Sequence, residues 1–209
     1  MDASTNTRGR RLIVGISGAS GSTLAVRFLS TAARHESVER IHVVVSNSAL
    51  RVSASELDPP ASTPAAIIER CKLPHEAAAK IEHHPNADIG ALIASGSYRC
   101  DGMVVIPCSS GTLASIAHGI SRDLMQRAAD LMLKERRPLL LALRETPLSL
   151  IHAENIVAVT RAGAIVIPPV PAFYSAQTLD DFADHFVMRC LDLLGLDGQR
   201  DDLRWHGGR

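Results

Sequence analysis

Leu12-Ile13-Val14-Gly15-Ile16 runs directly into Ser17-Gly18-Ala19-Ser20-Gly21-Ser22, and apolar residues then recur at helical spacing from Leu24 to Ala33. The first run has the length and make-up of a buried strand, the Gly/Ser segment is a turn, and the third segment is a helix. The same order returns along the chain. Ile41 to Val45 ends at Ser46-Asn47-Ser48, and Met103 to Ile106 ends at Pro107-Cys108-Ser109-Ser110-Gly111-Thr112. Pro138 to Leu143 leads into Arg144-Glu145-Thr146-Pro147, and Ala164 to Ile167 into Pro168-Pro169-Val170-Pro171. Helices are expected from about Leu113, from about Asp123 to Glu135, opening at Arg144 to Pro147, and from Leu179 to Leu194. Between Pro59 and Pro85 the periodicity weakens and five of the 11 prolines fall, so short helices and loops are expected there. Continuous Val/Ile/Leu strands alternating with helices imply a parallel sheet covered on both faces. In such sheets the functional loops lie at the carboxyl ends of the strands.

Bulk properties narrow the function classes. The chain has 209 residues, with 22 Lys+Arg balanced by 22 Asp+Glu. That balance argues against a partner held by long-range attraction, such as nucleic acid or an anionic membrane. Four Phe, two Tyr and one Trp are also few for a base-stacking surface. Met1 to Arg10 is polar and lacks the apolar core of a secretory signal, and no stretch approaches the ~20 apolar residues of a membrane span. The expectation is a cytoplasmic protein with a flexible arm over residues 1–10 and one domain over 11–209. Cys71, Cys100, Cys108 and Cys190 fit no metal-ligand spacing and read as buried free thiols. The neutral total conceals local imbalance: residues 122–144 are net basic, whereas residues 180–202 carry seven Asp against two Arg.

Two strand ends carry anion-binding chemistry. Gly18-Ala19-Ser20-Gly21-Ser22 combines glycines, hydroxyls and a helix N-terminus, all of which suit a phosphate. A capped tight turn would read the same way. Ser109-Ser110-Gly111-Thr112 repeats the design, with simple N-capping as its plain alternative. Arg144 and Glu145 stand at a third strand exit, where a guanidinium can grip a phosphate and a carboxylate can move a proton. Arg127 and Lys134 are seven apart and share a helix face. His118 and His152 read as structural histidines, and Cys108 as a packing residue. Glu56 taken alone is an ordinary surface carboxylate, and Tyr174 a loop anchor.

These segments together resemble the UbiX/Pad-type flavin prenyltransferase family, formerly labelled aromatic-acid decarboxylases. The resemblance rests on Ile13 to Gly21, Val105 to Ser109, Arg127 to Asp130, Leu133-Lys134-Glu135-Arg136-Arg137-Pro138-Leu139, Arg144 to Leu148, Pro169 to Tyr174 and Arg204-Trp205, and it spans residues 12–205. It implies a flavodoxin-like, Rossmann-like three-layer sandwich and a homo-oligomer, typically a dodecamer built from trimers. It also implies transfer of a dimethylallyl group from dimethylallyl monophosphate to N5 and C6 of reduced FMN, yielding prenylated FMN for a UbiD-type decarboxylase, with no metal. By the same resemblance Gly18, Ala19 and Ser20, then Ser46, then Ser109, Ser110, Gly111 and Thr112, and then Arg144 contact FMN. Tyr174 and Arg189 bind the prenyl phosphate, with Arg127 and Lys134 adding positive charge. Glu56 falls on the family's essential carboxylate, and Ser20, Lys134 and Glu145 complete the reacting set. The proton at C6 goes either to the departing phosphate or to Glu56. Leu24 stands where the family often carries an aromatic residue. Two other readings fit parts of the pattern: an FMN-dependent cysteine-type decarboxylase relative, and a non-catalytic FMN carrier for a decarboxylase.

Overall fold

The computed structural model describes residues 8–175, 177–198 and 200–207. Six parallel strands form one sheet: β1 (Arg10–Ile16), β2 (Val38–Val45), β3 (Ile81–Pro85), β4 (Gly102–Cys108), β5 (Leu139–Leu143) and β6 (Ile165–Val166). Their spatial order is β3-β2-β1-β4-β5-β6. The chain builds outward from β1 to β3, returns to the other side of β1, and builds outward again. The order therefore reverses between β1 and β4, and in open α/β sheets ligands bind at the carboxyl end of such a reversal.

Alternate strand residues feed two cores, as a period of two requires. Leu12, Val14 and Ile16 pack with Val43, Val104 and Phe28 on one face, while Ile13, Val44, Met103 and Val105 pack with Met125 and Met132 on the other. Helices α1 (Ser22–Arg34), α2 (Asn47–Glu56), α3 (Pro64–Glu69) and α4 (His75–Ala78) come first in the chain. They are followed by α5 (Ser110–Ala117), α6 (Leu124–Lys134), α7 (Leu150–Ala162) and α8 (Leu179–Leu193). α1 and α8 cover the first face, and α5, α6 and α7 the second. Gly15 lets α6 approach the sheet: a Cβ there would stand only 3.0 Å from Met125 Cγ.

The expected strands are present, with bounds shifted by a few residues. Three elements depart from expectation. Residues 81–85 form the edge strand β3 inside the stretch read as short helices and loops, and residues 47–56 form α2. The helix expected at Arg144 begins instead at Leu150, capped by Ser149, whose Oγ accepts from His152 N while His152 Nδ1 accepts from Ser149 N. Residues 1–7 of the expected arm lie outside the described residues. Arg8 pairs with Asp101 at 3.1 Å, and Arg10 already opens β1.

Phe28 is fully buried at the centre of the first core. Phe28→Ala is expected to cost about 3–5 kcal/mol, read as a drop in the urea midpoint at unchanged slope.

Candidate active site

Ser17 stitches the reversal between β1 and β4. Its Oγ donates to Pro107 O at 2.9 Å and accepts from Ser109 N at 2.8 Å, and the side chain is buried. The turn after β1 is thereby locked to the turn after β4. Ser46 N donates to Ile16 O at 3.0 Å, which brings the end of β2 to the same edge. Ser46 Oγ then caps α2 by accepting from Ala49 N at 3.1 Å. A Cβ on Gly18 would run into Ser48 Cβ, so only glycine lets these two loops meet. Ser109 caps α5: its Oγ accepts from Thr112 N and donates to Thr112 Oγ1 at 3.0 Å.

Glu56 is the last residue of α2, about 15 Å of helix beyond the Ser46 cap. That length carries it back over the N-terminus of α1. Its Oε2 accepts from Gly21 N at 3.0 Å and from Ser22 N at 2.8 Å. Gly21, with φ of 120°, makes the turn that aims these N–H groups outward. The positive end of α1 thus already holds a carboxylate, supplied from within the chain. Burial works against that charge. The hydrogen bond from the Ser20 hydroxyl and those from Ser22 N and Gly21 N outweigh burial and leave the Glu56 carboxyl below the usual carboxylate range. A group depressed on folding adds stability above its unfolded pKa and loses it as pH falls through the folded value. Glu56→Gln is therefore expected to flatten the acid limb of a stability–pH curve, measured by thermal unfolding across that range.

Ser20, Gly21, Glu56 and Arg144 line one cleft of about 430 Å³, whose other walls are Thr23, Leu24, Pro169, Leu179, Phe182 and Ala183. Three reactive polar groups thus face an apolar chamber of the size that small ligands occupy. Arg144 is set there by its own N–H, which donates to Cys108 O at the end of β4. Glu145 is next in chain, and its Oε1 accepts from Thr146 N at 3.1 Å. A larger hollow of about 660 Å³, lined by Arg10, His35 and Leu196, contains none of these groups. The anion donors fit an FMN phosphate. Arg144, the hydroxyls of Ser109, Ser110 and Thr112, and the α5 N-terminus sit at adjacent strand ends, and Gly111 has open space where a Cβ would be.

The remaining expected residues lie elsewhere in the chain. Tyr174 and Arg189 meet in a separate hollow of about 420 Å³ with His185, Met188, Arg204 and Trp205. Tyr174 is packed edge-on against Trp205 at 5.3 Å, its hydroxyl lies 3.3 Å from His185 Nε2, and Arg189 pairs with Asp192 at 3.2 Å. Arg127 pairs with Asp130 on α6, which covers the opposite face from the α1/α8 cleft. Lys134 sits at the far end of α6, about 16 Å along the helix from its start. There Arg137 donates to Gly96 O and Tyr98 O, at the amino edge of the sheet. One chain therefore gathers Ser20, Glu56 and Arg144, pairs Tyr174 with Arg189, and leaves Arg127 and Lys134 apart from both groups.

His118 is a structural histidine, with Nε2 at 3.1 Å from Asn155 Oδ1. Burial pushes the Cys108 thiol up to about 12, so it is no nucleophile. Sequence reasoning missed Ser17, Leu179 and Phe182. Ser17 carried a signal, as a hydroxyl closing a buried strand; Leu179 and Phe182 reach the cleft only through the placement of α8, which the sequence does not show.

The flavoprotein family profile matches residues 1–187. The flavin prenyltransferase UbiX of Neisseria meningitidis serogroup B is 46% identical over 199 residues, covering 95% of this chain and 97% of that protein. The flavin prenyltransferase UbiX of Salmonella typhimurium is 44% identical over 200 residues, covering 95% of this chain and 99% of that protein. The crystal structure of AnUbiX (PadA1) in complex with FMN and dimethylallyl pyrophosphate superposes with a TM-score of 0.84 at 43% identity, covering 97% of this chain and 100% of that one. A dodecameric FMN-dependent UbiX-like decarboxylase from Escherichia coli O157:H7 superposes with a TM-score of 0.82 at 40% identity, covering 94% of this chain and 100% of that one. A cysteine decarboxylase, SpaF, at 17% identity and a TM-score of 0.59, shares the fold alone. With near-complete coverage on both sides and a reactive cleft at the sheet reversal, the chain belongs to the UbiX-type flavin prenyltransferase family within the flavoproteins.

Proposed function

We propose that this protein transfers a dimethylallyl group from dimethylallyl monophosphate to N5 and C6 of reduced FMN. The observation that carries the reading is the convergence of Ser20, Glu56 and Arg144 on an apolar-walled cleft beside the α5 anion site. Reduced FMN supplies the nucleophilic nitrogen and carbon. Arg144, Ser46, the Gly18-Ala19-Ser20 turn and the Ser109-to-Thr112 turn hold its phosphate end, which fixes the reacting edge. Leu24 and Phe182 exclude water from the five-carbon chain of the allyl substrate, with Leu179 exposed at the rim of the cleft. Cations beside the leaving phosphate stabilise its growing charge, and Glu56 or that phosphate receives the C6 proton. Ser20 and Glu145 relay protons near the same edge.

The missing cations come from neighbouring copies. A relative of this fold is dodecameric, and Arg127, Lys134, Tyr174 and Arg189 include exposed charge outside the cleft of their own chain. In the proposed oligomer, Lys134 and Arg127 of one subunit and the Tyr174/Arg189 pair face a cleft built by another. The product serves a UbiD-type decarboxylase, and the reaction takes place in the cytoplasm within a single domain over residues 11–209. Among the described residues no helix is long and apolar enough to cross a membrane.

A coupled assay tests the whole reading. The protein, reduced FMN and dimethylallyl monophosphate are incubated without oxygen, and the filtrate is given to an apo UbiD-type decarboxylase. Decarboxylation that requires all three components is expected; activity with FMN alone would contradict it. A parallel arm with the pyrophosphate, the ligand named for the solved relative, compares the two prenyl donors.

A further inference from the structure

A second cluster of chemically capable side chains lies away from the cleft, where β2 meets the edge strand β3. His42 is in register with Glu82, and Val44 with His84. With a period of two, His42, Glu82 and His84 therefore project from one face of two hydrogen-bonded strands. His42 and His84 are buried and Glu82 is part-exposed, so the group has a rigid floor and one side toward solvent.

His42 Nδ1 stands 3.0 Å from His84 Nε2. The Glu82 carboxylate places one oxygen 3.6 Å from His42 Nδ1 and the other 3.7 Å from His84 Nε2. Those last two distances are too long for hydrogen bonds. They match the spacing of ligands on one ion: atoms about 2.0–2.2 Å from a tetrahedral metal stand about 3.3–3.6 Å from each other. We infer that His42, Glu82 and His84 form a site for one divalent transition-metal ion, with zinc or cobalt as the fitting class. Two imidazoles and a carboxylate are a ligand set that leaves the remaining position for water or a small ligand.

The outer partner supports the assignment. Tyr98 OH lies 2.9 Å from His42 Nε2, the ring nitrogen that faces away from the cluster. With its proton on Nε2, His42 donates to Tyr98 and turns a lone pair on Nδ1 toward the cluster, as metal-bound histidines do. Arg11 lies over the Tyr98 ring at 5.5 Å and steadies it. The alternative is a plain His84–His42–Tyr98 hydrogen-bond chain, which gives the Glu82 carboxylate no role.

The test uses tag-free full-length protein equilibrated with cobalt(II) near neutral pH, then gel-filtered. Retained metal and the visible cobalt spectrum are read for the wild type, Glu82→Gln, His84→Gln, Tyr98→Phe and a control, His75→Gln. The expected result is about one ion per chain in the wild type and control, with affinity lowered about 10–100-fold in Tyr98→Phe and further in Glu82→Gln and His84→Gln. Glu82→Gln changes a part-exposed residue, so it reports on metal even if His84→Gln folds poorly. A wild type that retains no metal, or a Glu82→Gln variant that binds as tightly as wild type, would overturn the assignment. Neither readout depends on flavin chemistry.

Discussion

Glu56→Gln is expected to slow flavin prenylation by about 10²–10⁴-fold, the range lost with a positioned proton-transfer group, while FMN affinity changes little. The carboxylate sits on Gly21 N and Ser22 N, beside Ser20 and across the cleft from Arg144, and is held ionised there. Glutamine keeps the size and one acceptor oxygen but loses the charge and the ability to take a proton. Arg144, Ser46 and the Ser109-to-Thr112 turn make no hydrogen bond to Glu56, so most of the proposed FMN phosphate donors are kept and binding survives. Glu56 either takes the C6 proton itself or orders Ser20 and the turn while the departing phosphate takes it. The two roles separate in the pH profile. A proton acceptor imposes an acid limb on the rate that Gln removes, whereas a purely ordering role lowers the rate at every pH. A protein that only carries FMN to a decarboxylase would be unaffected by the substitution, and equal delivery by both forms would support that reading instead.

Lys134→Ala alone and Glu56→Gln alone are each expected to be nearly inactive, yet an oligomer reassembled from both is expected to regain about a quarter of wild-type activity. The prediction follows from geometry. Lys134 lies at the amino edge, beyond the length of α6 and on the opposite face from the cleft that contains Glu56. If each site takes Glu56 from one subunit and Lys134 from another, random mixing restores both residues in about one site in four. If both residues served the same chain's site, no mixture would exceed the two parents. Unfolding and refolding the variants together, against each refolded alone, supplies the comparison.

Most of the fold was legible because its strands are uninterrupted apolar runs, and such runs read the same in isolation as in the sheet. Ile81-Glu82-His83-His84-Pro85 did not read as a strand because an edge strand pairs on one side only and tolerates polar residues. α2 was hidden for a related reason: only Ala49 and Ser53 along it are buried, so it shows little apolar periodicity. The cofactor-side loops were readable from hydroxyls and glycines placed after strands. Glu56 was not, since its position depends on α2 and on a contact between residues 35 apart in sequence. Its identification came from resemblance, and the structure supplies the physical reason a carboxylate belongs there. Arg127 and Lys134 illustrate a different limit: in the proposed oligomer they face a neighbouring subunit's cleft, and such a role leaves no mark on a single chain's packing. The metal-like cluster is a third kind, assembled from one residue on β2 and two on β3 with no recognisable spacing in the chain.

The most direct measurement is the mass of the flavin itself. The protein is incubated anaerobically with reduced FMN and dimethylallyl monophosphate, denatured, and the released flavin analysed by mass spectrometry. The expected result is FMN that has gained the dimethylallyl unit, with phosphate released in equal amount. Folded protein that binds FMN and returns it at unchanged mass would show that it is not a flavin prenyltransferase.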